Sequence, residues 1–538
     1  MSELHYYFPP SSERIARVVR AEVCVYGTSA AGITAAIQTR MSGHTVALVV
    51  NGARIGGLTA GGLGNTDIGN KRAIGGLARE FYRRVGAHYG VGEEWRFEPK
   101  VAEHTFQAWL QEFGITPLLR EYPTAVGREP GRGRLQELRC ESGLVIRARQ
   151  FIDASYEGDL MALAGVSNIV GRESNATFAE SLNGVQMHAT HQFEARVDPY
   201  VRAGDPASGL LSGINPEPLA PIGSGDAKVQ AYNFRMCLTQ AADRLPFPKP
   251  AGYRPEEYEL LARYLQAGWD ELFKKFDPIR GKKTDTNNHG AVSTDFIGGS
   301  WRFPAATWPE REEIFQEHVR WQQGLMWFLT NDARVPDKWR MAMSSWGLAA
   351  DEFVATGGWP HQLYIREARR LQGDYIITEH DCLGRTVAPD GVGLGAYAMD
   401  SHNCQRVLVD GFVRNEGDVQ VSGFKPYPIS YRAMTPRRRE AENLLVPVCL
   451  GASHIAYGSV RMEPFFMILG QSAALAAHLA LQHDIAVQDV AYPDLRRLLD
   501  AGNQVVGWPP GESENETGAI LYEPEAPLPL ESTGDAGR

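Results

Sequence analysis

Residues 21–50 read AEVCVYGTSAAGITAAIQTRMSGHTVALVV, and the fold class can be read from them. The run Val23–Tyr26 is short and apolar, as suits a buried parallel strand. After a glycine turn, Ile33, Ala36 and Ile37 share one face of a helical stretch. That stretch ends at Gly43, a residue suited to the left-handed turn beyond a helix. Thr45 to Val50 is again almost wholly apolar. Strand, turn, helix and strand in this succession make a βαβ unit.

Gly27, Ser29 and Gly32 stand at the three positions of a G-x-G-x-x-G turn, and Ala30 and Ala31 open the helix. The first glycine makes the tight turn, the last lets helix approach strand, and the helix N-terminus offers N–H groups to a pyrophosphate. Ser29 is small enough for close approach but departs from the pattern. The acid that normally meets a dinucleotide ribose is also missing: Val50 stands there, followed by Asn51 and Gly52. Asn51 can donate or accept a hydrogen bond but supplies no carboxylate.

The full chain has 538 residues, enough for more than one hydrophobic core. A net charge of −10 argues against a nucleic-acid partner, and the run Arg437–Arg439 is too short to alter that. Cys24, Cys140, Cys237, Cys382, Cys404 and Cys449 are dispersed without a C-x-x-C pair. They read as reduced, mostly buried thiols, not as a redox dithiol or a metal site. The N-terminal residues lack a signal-peptide core, and no apolar run of about 18 residues is evident. A soluble, cytoplasmic protein without membrane contact is expected.

Beyond the βαβ unit, residues 53–76 carry glycine at a density that lets backbone approach a ligand or take positive φ. LAREFYRRVGAHYG and VAEHTFQAWLQEFG read as helices; TPLLREYP, RLQELRCES and LVIRARQFIDAS read as strands. From Ser174 the texture changes to long loops rich in aromatics, with seven of the eleven tryptophans between Trp301 and Trp359. The expected organisation is a first part of the nucleotide domain (20–173), an inserted mixed α+β substrate or cap domain (174–424), a second part of the nucleotide domain (425–485) and a C-terminal extension (486–538). ENLLVPVCLG reads as a buried strand and EPFFMILGQSAALAAHLALQHD as a long apolar helix; the Pro- and Glu-rich end after Gly507 reads as a loose tail.

FAD is favoured over NAD by the residues after the second strand. Gly56, Gly57, Gly61, Gly62 and Leu63 lie where FAD enzymes run a glycine loop beside the cofactor. The strand FIDAS ends in Asp153 and Ala154, resembling the segment that closes the cofactor site in glutathione-reductase-type folds. In SVRMEPFFMILGQ, Pro464 suits a first helical turn, and that helix would aim its positive end at the flavin. Arg461, Met462, Gly470 and Gln471 of this block are assigned to the cofactor. Together with GGLTAGGLGNTDIG, FIDASYEGDLMALAGV, GRESNA, LYIREARRLQGDYIITEHD and DSHN, the block resembles the FAD-dependent oxidoreductase family. That family's flavin domain is similar to glutathione-reductase-type and succinate-dehydrogenase-type flavoproteins. The resemblance runs from Ala21 to about Asp484, and it implies a Rossmann-type α/β fold, FAD and an oxidoreductase activity.

Oxidation by a flavin needs a base for the proton lost as hydride moves. His402, beside Asp400 in DSHN, is the first candidate, then His289 in TDTNNHG, then His361; each reads also as a structural histidine. Arg366 and Arg461 suit an anionic substrate or the flavin carbonyl, and pairing with Glu367 and Glu463 would look the same in sequence. Tyr431 and Arg432 are placed near the flavin, and the tryptophans offer planar surfaces for a ligand or serve the core. The expected substrate is a small molecule, a sugar-like or polyol alcohol, that gives hydride to flavin N5. Oxygen or a separate molecule accepts the electrons, since no second dinucleotide fingerprint is present. The alternatives are an amine oxidase, a desaturase, a natural-product tailoring enzyme, or a flavin-binding scaffold without catalysis. The purified protein should be yellow and release FAD on denaturation, identified by chromatography; a colourless protein that takes up no FAD overturns the cofactor assignment.

Overall fold

The structure, a computed structural model, describes residues 4–10, 17–129, 131 and 133–508. The tail expected after Gly507 lies, from residue 509, outside the described residues. β1 (Val23–Tyr26) leads through the glycine turn into α1 (Ala30–Met41), and β2 (Val46–Val50) follows. The glycine-rich stretch forms a short helix, α2 (Gly57–Ala60), and the amphipathic stretches fold as α3 (Gly76–His88) and α4 (Pro99–Glu112). β3 (Leu118–Leu119) and β4 (Gln150–Asp153) complete this part. The middle of the chain supplies β5 (Met236–Thr239), β6 (Phe276–Ile279), β7 (Lys283–Thr286), α5 (Trp308–Asn331), β8 (Gly347–Leu348) and β9 (Met399–Ser401). β10 (Leu444–Leu445) and α6 (Glu463–His483) return to the first part.

Five strands form a parallel sheet in the order β10–β4–β1–β2–β3. β2 lies on one side of β1 and β4 on the other, so the strand order reverses at β1. In open α/β sheets the ligand crevice lies outside the carboxyl ends of the strands at such a reversal. A second, antiparallel sheet, β6–β7–β5–β8, is built from the middle of the chain. Of ENLLVPVCLG only Leu444–Leu445 pairs as a strand; the rest is buried without a ladder.

α6 is apolar all round and buried along nearly its whole length, as such a helix must be in a globular protein. It is long and apolar enough to cross a membrane, which corrects the expectation that no such run exists. In the fold 94% of that apolar window is buried inside the protein, so its hydrophobicity serves the core. It packs across α1: Thr34 Oγ1 donates to Met467 O at 2.8 Å, and a Cβ on Gly470 would overlap Ala31 O. Several tryptophans likewise serve packing. Trp321 stacks on Phe296 at 4.8 Å, Trp359 is fully buried, and Trp301 and Trp308 donate to backbone carbonyls of Cys404 and Pro123. The capping box of Thr307 and Glu310 starts α5. All six cysteines are free and buried.

Gly470→Val should strongly destabilise the fold, by about 1–3 kcal/mol or more, because α6 cannot back away from α1 without opening the core. Urea unfolding checks this, and an unchanged midpoint would show that the contact is not constraining.

Candidate active site

The carboxyl ends of β1, β2 and β4 converge on one cleft. It is lined by Thr28 after β1, Asn51 to Arg54 after β2 and Glu157 after β4, with His5 and Tyr6 on one side and His361 and Gln362 on another. The glycine turn is fixed by contact with β4. Gly27 has φ +133°, and a Cβ there would overlap the backbone of Ala154. A Cβ on Gly32 would meet Gly27 O at 3.1 Å and Ala154 Cβ at 3.5 Å, so only a hydrogen leaves helix and strand at ease. Ser29, at the N-cap, donates its hydroxyl to Ala154 O at 2.6 Å and makes no capping bond. The N–H groups of Ala30 and Ala31 therefore have no side-chain cap, the arrangement that receives phosphate, while Gly32 N–H donates to Ser29 O at 3.0 Å. Gly57, at φ +51°, presses on this turn; a Cβ would overlap the Tyr156 hydroxyl and approach Ser29.

Other residues assigned to the cofactor face the protein. Gly56 packs on Phe106, Gly61 on Gln362 and Gly62 on the Arg235 backbone, while Leu63 is buried in the core. Asp153 accepts from the Ser155 hydroxyl at 2.6 Å and from Met161 N at 2.8 Å, which shapes the turn after β4; burial pushes its carboxyl up to about 6. Gln471 spends its side chain on Leu77 N and Gln38, and Gly470 serves the helix crossing.

At the start of α6, after Met462, Glu463 accepts from Thr59 Oγ1 at 2.6 Å and from the Tyr156 hydroxyl at 2.7 Å. Burial pushes this carboxyl up to about 7 against the pull of those two bonds. Arg461 lies just before the helix. It donates to the Tyr364 hydroxyl at 3.0 Å, to Gln230 Oε1 at 3.2 Å and to Asp400 O at 2.9 Å, and it lies 3.6 Å from the Asp400 carboxylate.

His402 joins the same buried group. Its Nδ1 lies 2.7 Å from Asp295 Oδ2, and its Nε2 3.6 Å from Asp400 Oδ2. Asp295, not Asp400, orients the ring, which corrects the expected partner. Asp295 also pairs with Arg366 at 3.0 Å, and the Arg366 guanidinium lies 4.5 Å from the centre of the Tyr364 ring. Burial raises the Asp295 and Asp400 carboxyls, but Arg366 and His402 around the one, and His402 and Arg461 around the other, outweigh it and hold both below the usual range. Arg235 pairs with Asp285 at 2.7 Å below the same tyrosine. Arg366 Nε and Arg461 Nε are buried without a hydrogen-bond partner.

The alternative pairings of the two arginines do not form. Glu367 holds His454 at 2.8 Å, and Glu463 holds Thr59 and Tyr156. His289 lies nearer the surface, 2.5 Å from Glu271, and connects to His402 only through the ring of His191 (centroids 5.8 and 6.4 Å apart). Tyr431 and Arg432 lie elsewhere: Tyr431 donates to Val487 O at 2.7 Å, and Arg432 pairs with Asp390. Neither hydrogen-bonds to the group around His402 and Arg461. Three carboxylates, of Glu98, Asp351 and Glu352, converge at a separate point, and the Lys283 ammonium sits among them at 2.6–2.8 Å.

A glycine turn at the reversal of a parallel sheet, an uncapped helix N-terminus and a buried Asn51 Oδ1 without a partner define a dinucleotide-binding protein of the Rossmann type. Residues 22–499 match the FAD dependent oxidoreductase family, and the chain belongs to that family. FAD is the cofactor of that family, and the glycine turn, the N-terminus of α1 and Asn51 at the cleft fit its nucleotide end. Among solved structures it is similar to L-amino acid deaminase from Proteus vulgaris (14% identity, TM-score 0.23, 31% of this chain and 55% of that one). It is also similar to 3-ketosteroid-delta4-(5alpha)-dehydrogenase from Rhodococcus jostii RHA1 (13%, 0.20, 29% and 50%) and L-proline dehydrogenase from P. horikoshii (19%, 0.18, 30% and 26%). The chain spans about half or less of the length of these structures. A search of curated proteins gave no match.

Glu463 makes stability depend on pH. Its folded carboxyl titrates near 7 and its unfolded one near the ordinary 4.5, so the folded state binds the extra proton between these values. Stability should therefore be full below pH 4.5 and fall as pH rises towards 7, by up to about 3 kcal/mol from this group. Melting temperatures of wild type and Glu463→Gln between pH 5 and 8 check this; the slope should flatten in the variant, and equal slopes would exclude it.

Proposed function

We propose that the protein oxidises a small hydroxylated molecule, a sugar-like or polyol alcohol, with His402 as the base. The observation that carries this reading is the buried pair of His402 and Asp295 at 2.7 Å. Asp295 accepts from Nδ1–H, which leaves Nε2 as the nitrogen that takes a proton. Asp400 stands 3.6 Å from that nitrogen and stabilises the imidazolium as it forms. Gln230, Tyr364 and Arg461 add hydrogen-bonding groups at the same place, which suits a substrate with several hydroxyls. Bound FAD supplies the hydride acceptor at N5.

In this reading residues 174–424 form the substrate-facing unit and donate Arg235, Asp295, Tyr364, Asp400 and His402. The flanking segments hold the cofactor through the residues after β1, β2 and β4 and through Arg461 and Met462. Electrons pass on to oxygen or a separate acceptor, and the protein works in the cytoplasm.

His402→Ala should leave the spectrum of bound flavin intact and slow flavin reduction by roughly 10²–10⁴-fold. Anaerobic rapid mixing with a panel of polyols, sugars and amines, normalised to bound FAD, reads both points. Reduction by amines alone would overturn the alcohol assignment, and an unchanged rate in the variant would remove His402 from the chemistry.

A further inference from the structure

The ribose-binding acid that the sequence lacks at the end of β2 has a structural replacement. Asn51 stands at that strand end, 4% exposed, with its Oδ1 buried and unpartnered. An amide oxygen buried without a donor is unfavourable, so a ligand hydroxyl placed there gains a hydrogen bond. Beside it in the cleft stands Glu157, four residues beyond the last residue of β4. The two are joined by Tyr6: its hydroxyl donates to Glu157 Oε1 at 2.6 Å and accepts from Asn51 Nδ2 at 3.5 Å.

Tyr6 belongs to a segment that precedes the region matched by the family, and that segment is firmly fastened. The backbone N–H groups of Tyr6 and Tyr7 both donate to Glu312 Oε2, at 2.8 and 2.9 Å, and His5 lies 2.7 Å from the other oxygen of that carboxylate. Gln316 donates to Leu4 O at 2.8 Å. On the other side Phe8 N donates to the Tyr122 hydroxyl at 2.9 Å. The Tyr6 ring packs against Phe303 at 5.4 Å. The segment thus ties α5 to the nucleotide part of the chain and sets one hydroxyl between Asn51 and Glu157.

We propose that Glu157 and Asn51 together bind the vicinal diol of the adenosine ribose of FAD, and that Tyr6 is the positioning residue that holds them in register. A ribose offers two hydroxyl donors; the bare Asn51 Oδ1 takes one and the Glu157 carboxylate the other. Burial and the neighbouring Asp159 push the Glu157 carboxyl up, with Arg311 opposing, so donors from a bound ribose would favour its ionised form. The inference rests on placing the pyrophosphate at the N-terminus of α1, and it is independent of which substrate is oxidised.

Calorimetric titration of the apoprotein with FAD, ADP and FMN tests it. Glu157→Gln should weaken FAD and ADP by roughly 10–100-fold and leave FMN unchanged, because FMN has no adenosine. Tyr6→Phe should weaken the same two ligands by a smaller factor, again without an effect on FMN. Glu157→Gln with Asn51→Glu should recover affinity for ADP, since the carboxylate returns to the strand end. Wild-type ADP affinity in both single variants would overturn the proposal. So would parallel losses for ADP and FMN with a lowered melting temperature, which mark a structural role. Gly32→Val is the separate control: if it leaves ADP binding intact, the placement at α1 fails and the inference with it.

Discussion

The crossing of α6 over α1 is the contact that holds the two halves of the cofactor site together. Two backbones meet there at Gly470 and Ala31, closer than any side chain would allow, and Thr34 ties them with a hydrogen bond to Met467 O. The contact joins segments more than 400 residues apart in sequence. Its consequences reach both ends of the site. α1 opens with the uncapped first turn at the glycine loop, and the start of α6 carries Glu463 and, just before it, Arg461. Because α6 is buried on all sides, the axial position of one helix relative to the other is fixed by packing. A shift of one residue would withdraw Glu463 from Thr59 and Tyr156 and Arg461 from Tyr364 together.

On that scaffold the buried polar group around His402 is assembled from segments with little local structure. Asp295, Tyr364 and Arg366 lie on loops, and His402 follows a strand of three residues. Loops hold such positions only when their polar groups are satisfied from several directions. Here Arg366 donates to Ala231 O at 2.5 Å while pairing with Asp295, and Gln230 reaches both His402 N and Arg461. The charged side chains therefore act as cross-links between loops.

The nucleotide part is legible in the sequence because its signals are local: a strand–turn–helix–strand succession, glycines at a turn and an apolar helix. DSHN stands out for a related reason, since its four polar residues lie in and just beyond β9 and three of them are buried. The partners of His402 do not. Arg366 and Glu367 are neighbours, which suggests a pair, but successive side chains in extended chain point to opposite sides. One therefore meets Asp295 and the other His454. Asp295 lies 107 residues from His402, and no spacing announces such a partner. Tyr6 has no signature at all, because its role depends on Glu312 and Glu157, which only the fold brings to it. The length of the apolar run in α6 is masked because small residues and single polar positions interrupt it.

The buried charges also show why this group is not simply core. Arg235, Arg366 and Arg461 each have a carboxylate nearby, in Asp285, Asp295 and Asp400. His402 stands between two of these anions, with the His191 ring 6.4 Å away and the Arg406 guanidinium also near Asp295. The protonated form of His402 adds one positive charge, met at once by Asp295 at 2.7 Å and Asp400 at 3.6 Å. In a medium of low dielectric that attraction is far stronger than in water, and the carboxylates need not reorient to provide it. For stability alone, well-packed apolar residues would serve as well or better than buried ion pairs. Carboxylates already fixed around an imidazole suit a site where a proton arrives, which is the role proposed above for His402.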